Sequence, residues 1–433
     1  MQSNLEVLGP IERRLDISVP LAAVEAEVQA RLKNLARKVR MDGFRPGKAP
    51  LSAVARQHGA EIRQEVLSVS LQAGFNAAVQ EHNLQVAGIP RFENKQGGDG
   101  QEVLFSALFE VYPEIEIGDL GSGAIMRPQT SVTDADVDKT VEVLRKQRRE
   151  FRIVERSAQE DDRVKFDFAG TLDGQPFEGG EGKGYITVLG EGRFLKDFEA
   201  NLIGISAGET KAFDITFPVD YPAAHLAGKQ VHFEVTLHEI SEPWLPEINA
   251  DFAKAMGVAD GDLAKLREEI KANLEREVKR RVQTHVKQQV MNLLSDRSDF
   301  EVPKSLIAME VERLMKQAQQ DAASRGLKEL ALSADMFNEQ ASRRVRLGII
   351  VAEVIKTQGL SAKPEQIRAM VEELAQSYEE PKEVVNWYFE NPERLQEVEN
   401  MALEDNVVAW VLSQAKVNDV ATSFDDLMGR AQA

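Results

Sequence analysis

The chain has 433 residues, with 53 Lys and Arg against 71 Asp and Glu for a net charge of −18; at roughly 150 residues per domain this length allows about three domains. The acidic excess disfavours any function in which the whole molecule coats phosphate. The absence of cysteine excludes disulfide scaffolds, thiolate zinc sites, iron–sulfur clusters and cysteine nucleophiles. The N-terminus lacks a charged region followed by an apolar one, and the most apolar stretch, Leu347 to Val354, is about half a bilayer span. A cytoplasmic protein without membrane contact is expected.

In chain order, residues 1–111 read as a mixed α+β domain. It comprises a strand over Ile11 to Val19, a helix over Leu21 to Val39, a turn, a second helix near Ala49 to Asn83, and strands such as Val103 to Val111. Residues 112–150 form a connector with one helix, Thr133 to Arg149, opened by a Thr133 and Asp136 capping pattern. The next stretch, 151–245, holds nine of the 19 Phe and many glycines, as short strands joined by tight turns require. Val164, Phe166 and Phe168 alternate with polar residues, and so do Val231, Phe233, Val235 and Leu237. A short helix is expected over Arg193 to Leu202, stopped at Gly204, so this domain reads as a small antiparallel sheet wrapped on one helix. Residues 246–433 carry helical spacing throughout: Asp262 to Leu294 with charge on most faces as for a solvated arm, Pro303 to Ser324, Ala334 to Thr357 started by Ser333, Pro364 to Tyr378, and Pro392 to Leu412. Gly326 and Gly359 stand as C-terminal stops.

The most unusual segment is Gly43-Phe44-Arg45-Pro46-Gly47-Lys48-Ala49-Pro50. Two glycines and two prolines break the helical pattern and leave Phe44 on a turn with little surface to bury against. Arg31, Lys33, Arg37, Lys38 and Arg40 precede it, and Asp42 is the only acid between 31 and 48. An aromatic tip inside a basic island suits a protein crevice bordered by phosphate, whereas charge alone fits a solvated helix face equally well.

The G-F-R-x-G-K-x-P pattern after a basic helix resembles the ribosome-docking signature of the bacterial trigger factor family. The similarity runs from end to end, through Val164-Lys165-Phe166-Asp167-Phe168-Ala169-Gly170, Phe177-Glu178-Gly179-Gly180 and the terminal Phe424 to Gln432 segment. The resemblance implies a multidomain α+β protein: an N-terminal ribosome-binding domain, an FKBP-type prolyl isomerase head, and an all-helical C-terminal chaperone domain with arms, with which the connector packs. It implies docking of Gly43, Phe44, Arg45, Pro46, Gly47 and Lys48 on the large ribosomal subunit beside the nascent-chain exit tunnel, through ribosomal protein and local rRNA. Nascent and unfolded polypeptides are the implied clients, and homodimerisation off the ribosome is implied as well. Position 46 is often basic in relatives and is proline here, which removes a cationic contact and stiffens the loop.

Rotation about an X-Pro bond breaks no bond, so neither a metal nor a cofactor is expected. The barrier is about 18 to 20 kcal/mol, and a ten-thousandfold acceleration needs about 5.5 kcal/mol of preference for the twisted imide. Resemblance assigns the pocket to Phe168, Phe177, Tyr185, Leu195, Phe198, Tyr221 and Phe233, with Phe198 and Tyr221 foremost; alternating Phe in a small sheet also fits a plain core. Lys196-Asp197 replaces the family's usual Pro-Gly before Phe198. His225, His232 and His238 lack ligand spacing, and Glu178 to Gly184 lacks a phosphate-loop pattern and reads as a mobile loop. Eight of the 11 methionines follow Pro246, which suits either an adaptable client surface or helix–helix cores. Two alternatives differ in class: a free-standing isomerase whose helical part only targets or dimerises it, and an adaptor with an inactive head.

Overall fold

The computed structural model describes residues 3–41, 44, 48–95, 102–223, 225–326, 332–376, 378 and 380–429. The chain divides into two compact units, one of residues 1–127 with 283–420 and one of residues 128–282 with 421–433.

The first unit begins with β1 (Ser3–Val7), β2 (Glu12–Pro20), α1 (Leu21–Ala36), α2 (Leu51–Glu81), β3 (Val86–Lys95) and β4 (Glu102–Val111). The strands form an antiparallel sheet in the order β1-β2-β4-β3. Apolar residues every fourth position, Val24, Val28 and Leu32, give α1 one buried face, which packs with Val54, Ile62, Val66 and Phe75 of α2. Phe75 meets Phe92 and Phe109 edge-on at 5.6 and 5.1 Å, tying α2 to the sheet. Helix α1 stops short of the expected Val39 because the amides of Lys38 and Val39 both donate to the Leu35 carbonyl. Helix α2 ends before Asn83, which adopts φ +51°.

A short strand β5 (Ala124–Gln129) leads to α3 (Asp134–Gln147), whose capping box forms as expected: Thr133 accepts from the Asp136 amide while the Asp136 carboxylate accepts from Thr133. Then follow β6 (Glu150–Ile153), β7 (Arg163–Leu172), β8 (Gln175–Val188), α4 (Lys196–Leu202), β9 (Thr210–Thr216), β10 (Gln230–Trp244), α5 (Ala250–Ala255) and α6 (Leu263–Asp296). All strand pairs here are antiparallel; β10 pairs with β7 along one edge, and β9 and β6 divide the other. The sheet closes on α4 over a core that includes Val164, Phe166, Leu202, Val235, Leu237 and Ile240. Glu178 to Gly184, expected as a mobile loop, instead forms part of β8. Helix α6 buries Leu266 and Ile270 near its start and Val286, Val290, Met291 and Leu294 near its end, with no buried residue from Lys271 to His285, in keeping with its charge on most faces.

The chain continues through α7 (Lys304–Ser324), α8 (Asp335–Gln358), α9 (Pro364–Ala375), α10 (Pro381–Phe389), α11 (Pro392–Gln414), β11 (Lys416–Ala421) and α12 (Phe424–Met428). Val311 and Leu314 of α7 pack on Ala341 of α8. Gly359 closes α8 in the left-handed conformation, as its position suggested, but Ser333 does not cap it: Ala334 is the N-cap, without a side-chain hydrogen bond. Helices α9, α10 and α11 each begin on proline, where the missing N–H costs nothing. Helix α9 ends at Ala375 rather than Tyr378, and α10 and β11 had no counterpart in the sequence reading. Strand β11 pairs with β5, almost three hundred residues earlier in the chain.

Candidate functional site

The sheet around α4 gathers a dense cluster of aromatic residues. Phe166 and Phe168 point the same way from β7 by strand alternation, Phe233 comes from β10, and Phe198 from α4. Phe198 is at the centre, its ring centroid 5.2 Å from Phe233, 5.5 Å from Phe213, 5.9 Å from Phe166 and 6.1 Å from Phe168. Phe177 approaches Phe233 edge-on at 6.5 Å, and Tyr185 approaches Phe168 at 5.3 Å. Tyr221 lies 4.7 Å from Phe217, and both belong to the same cluster. Leu195 caps α4, its carbonyl accepting from the Phe198 and Glu199 amides.

The seven residues named from sequence are thus brought together but are not equally open. Phe168, Phe198 and Phe233 are buried; Phe177, Leu195 and Tyr221 are half-buried; Tyr185 is 49% exposed. Sequence reasoning missed Phe194, whose ring stacks on Phe198 at 5.1 Å and 19° and meets Tyr185 at 6.3 Å. Its signal was the four-residue spacing to Phe198 across the start of the short helix. Lys196 and Asp197 are exposed in the first turn of α4, while Phe198 next to them is buried.

Several glycines attributed to turns are cleared ground beneath rings. Pairing sets Gly170 opposite Phe233 and Gly182 opposite Phe168. A Cβ at Gly170 would lie 2.6 Å from the Phe233 ring, and one at Gly182 would lie 2.5 Å from both Phe168 and Tyr185. On the other face of β7, Asp167 accepts from the Gly184 amide at 2.6 Å and pairs with His238 at 2.9 Å. The Gly184 hydrogen bond, then that of His238, holds its carboxyl below the usual carboxylate range. His232 pairs with Asp214 at 2.6 Å. Among the described residues no group of three or more His, Asp or Glu side chains converges on a metal-sized site, and no helix is long and apolar enough to cross a membrane.

Of the segment between α1 and α2, Gly43, Arg45, Pro46 and Gly47 lie outside the described residues. Val39, Met41, Ala49 and Leu51 on either side pack against the N-terminal core, while Phe44 is 42% exposed and Lys48 is exposed. Within the basic island Arg31 is bound to Glu27 at 3.0 Å and Glu65 at 2.6 Å, leaving Lys33, Arg37, Lys38, Arg40 and Lys48 as its exposed cations among the described residues. The methionines divide: Met291 is buried, while Met309, Met336 and Met401 are exposed.

Family models for the N-terminal part of bacterial trigger factor protein, FKBP-type peptidyl-prolyl cis-trans isomerase, and the trigger factor C-terminus match residues 1–144, 154–238 and 262–413 respectively. A trigger factor of Thiobacillus denitrificans is 58% identical over 432 residues, and one of Nitrosospira multiformis is 53% identical over 435, each covering all of both chains. A solved structure described as "Promiscuous Substrate Recognition in Folding and Assembly Activities of the Trigger Factor Chaperone" aligns over 96% of this chain and 100% of its own at 18% identity, with a TM-score of 0.48. Full-length identity to these relatives, with an FKBP-type match coinciding with the aromatic cluster, establishes that the chain belongs to the bacterial trigger factor family and carries a peptidyl-prolyl isomerase domain.

Proposed function

We propose that this chaperone with prolyl isomerase activity isomerises X-Pro bonds at the Phe198-centred cluster, the proline ring packing among Phe168, Phe177, Phe198 and Phe233 with Tyr185, Leu195 and Tyr221 at the margin. The single observation that carries this is the convergence of five rings on Phe198. A planar imide carries the full amide dipole; at the twisted geometry resonance is lost and the group is less polar. An apolar surround therefore opposes the twisted state less than the planar ones, and that difference is what lowers the barrier. No proton transfer or covalent step is required of the residues. In the full chain, Phe198→Ala is expected to lower kcat/KM on a proline-containing peptide about a hundredfold, roughly 2.7 kcal/mol of transition-state preference. Phe198→Leu keeps most of the volume and separates loss of the ring from loss of the fold. Parental rates in a folded variant would overturn the assignment.

The domain limits 1–111, 112–150, 151–245 and 246–433 are proposed as functional divisions. The first docks in the cytoplasm on the large ribosomal subunit beside the exit tunnel, through Gly43 to Lys48, with Phe44 entering a protein crevice and Arg45 and Lys48 meeting phosphate. The exposure of Phe44 between two anchored flanks supports this reading. Combining Phe44→Ala with Arg45→Ala is expected to reduce ribosome co-sedimentation at least tenfold, and unchanged affinity would refute it. Nascent and unfolded chains are received on exposed apolar side chains of the helical region, including Met309, Met336, Trp387 and Phe389. Homodimerisation off the ribosome is proposed with it, to be read from sedimentation across a concentration series.

A further inference from the structure

Glu199 follows Phe198 on α4 and is 5% exposed, a depth at which a carboxylate is costly unless its oxygens are satisfied. Oε2 accepts from the Gly190 amide at 3.0 Å and the Gly192 amide at 3.4 Å, and Oε1 accepts from the Phe194 amide at 3.1 Å. Gly190 and Gly192 adopt φ of +93° and +70°, conformations that turn the backbone around the carboxylate and that L side chains rarely adopt. The third amide belongs to Phe194, the ring stacked on Phe198. Apart from this stack, Phe194 meets Phe166 at 5.6 Å, Phe168 at 6.2 Å and Tyr185 at 6.3 Å, so it touches the floor and one wall of the aromatic cluster from a loop with no regular structure of its own.

We infer that Glu199 is a positioning residue for the isomerase: its buried carboxylate ties residues 190–194 to α4 and thereby fixes Phe194 as a wall of the proline pocket. The inference rests on the pocket assignment above. Charge-assisted acceptance of three N–H groups by one carboxylate is stronger and more directional than neutral hydrogen bonds. A glutamine there keeps one acceptor oxygen, and its amide NH2 faces a donor. Glu199 touches no substrate in this scheme. Its effect on catalysis passes through the ring of Phe194, which distinguishes it from a residue that merely stabilises the domain.

The test is a double-mutant cycle in the full chain. Glu199→Gln is expected to lower kcat/KM about tenfold, Phe194→Ala to lower it by a similar factor, and Glu199→Gln in the Phe194→Ala background to cost less than twofold more. A tenfold loss repeated in both backgrounds, or a rate within twofold of the parent for Glu199→Gln alone, would overturn the inference. Phe198→Ala run alongside separates the two claims: parental activity there defeats the pocket assignment, whereas loss there with no effect of Glu199→Gln defeats only the role of Glu199. Should Glu199→Gln fail to fold, hydrogen exchange in the unmodified chain decides. The Gly190 and Phe194 amides are expected to exchange at least a hundredfold slower than in an unstructured peptide, and unprotected exchange would overturn the anchoring.

Discussion

Aromatic residues are used in opposite ways in two regions of this molecule. Around α4, Phe166, Phe168, Phe198, Phe213, Phe217 and Phe233 are all buried in one cluster. Around α10, Tyr378 is 61% exposed, Trp387 49% and Phe389 46%, and the helix has no buried residue. The first arrangement suits a single reacting geometry, because fixed rings stabilise one state of one bond. The second suits many partners, since an exposed ring binds whatever apolar surface arrives and loses little by being left alone. Even there one ring is restrained: the Arg394 guanidinium stacks 3.6 Å from the Trp387 ring centroid while donating to the Trp387 carbonyl at 2.8 Å. That contact covers one face of Trp387 with a cation rather than with another apolar side chain.

The comparison is broken most directly by truncating one ring on each side. Phe166 is fully buried and lies 5.6 to 6.0 Å from Phe168, Phe194 and Phe198. Phe166→Ala is expected to destabilise its unit by about 3–5 kcal/mol, transfer and cavity terms together. Because a chain of two units need not unfold in one step, the measurement is hydrogen exchange of β7 and β10 peptides in the full chain rather than a single melting temperature. Protection unchanged in those peptides would show that the cluster is loosely packed and contradict the view of it as a rigid site.

Trp387→Ala is expected to leave stability within about 0.5 kcal/mol, as for surface substitutions away from packed features. Suppression of aggregation of a denatured protein should fall several-fold, with isomerisation of a short peptide unaltered. A variant that unfolds α9 to α11, read by exchange, would instead mean that the aromatic group of α10 holds its own region together. Equal suppression by parent and variant would move the client surface away from α10.

What the sequence revealed follows the same division. Long helices with apolar residues on one face were legible to within a few residues, as with Lys304–Ser324 and Pro392–Gln414, and so was the Thr133 and Asp136 capping box, which is a local chemical pattern. Helix α10 was not, because its nine residues, Pro381–Phe389, are too few turns for a helical period to stand out. Strand β11 was not, because its partner β5 is distant in sequence. The pocket aromatics were found by family resemblance, since alternation alone marks strands and not catalysis. Gly170 and Gly182 were attributed to turns because a glycine needed for φ and one needed for space look identical in a sequence. Glu199 looked like any acid in a helix rich in them; only the three amides around its carboxylate distinguish it.

The smallest effect concerns the outer face of β7. Asp167 accepts from Gly184 at the point where β8 slips register against β7, between the pairs Phe166–Tyr185 and Phe168–Gly182, and it pairs there with His238. Its carboxyl titrates below the ordinary carboxylate range because the Gly184 amide, and after it His238, favour the charged form. A carboxyl depressed in the folded state contributes stability above its unfolded pKa, near about 4, and loses that contribution as pH falls through the folded value. Asp167→Asn should therefore flatten the acid limb of stability below about pH 4 and leave the neutral-pH rate of isomerisation close to the parent. Since Asp167 is solvent-accessible, the change is small and shrinks with added salt. Exchange of the Gly184 and Tyr185 amides reports it most directly: faster exchange in the variant at neutral pH, with the parent approaching it as the pH is lowered, is the expected pattern. Identical acid limbs in the two proteins would mean that the register slip is held by the ring packing of Tyr185 on Phe168 alone, and that the inward-facing cluster needs no support from the polar face of its own strand.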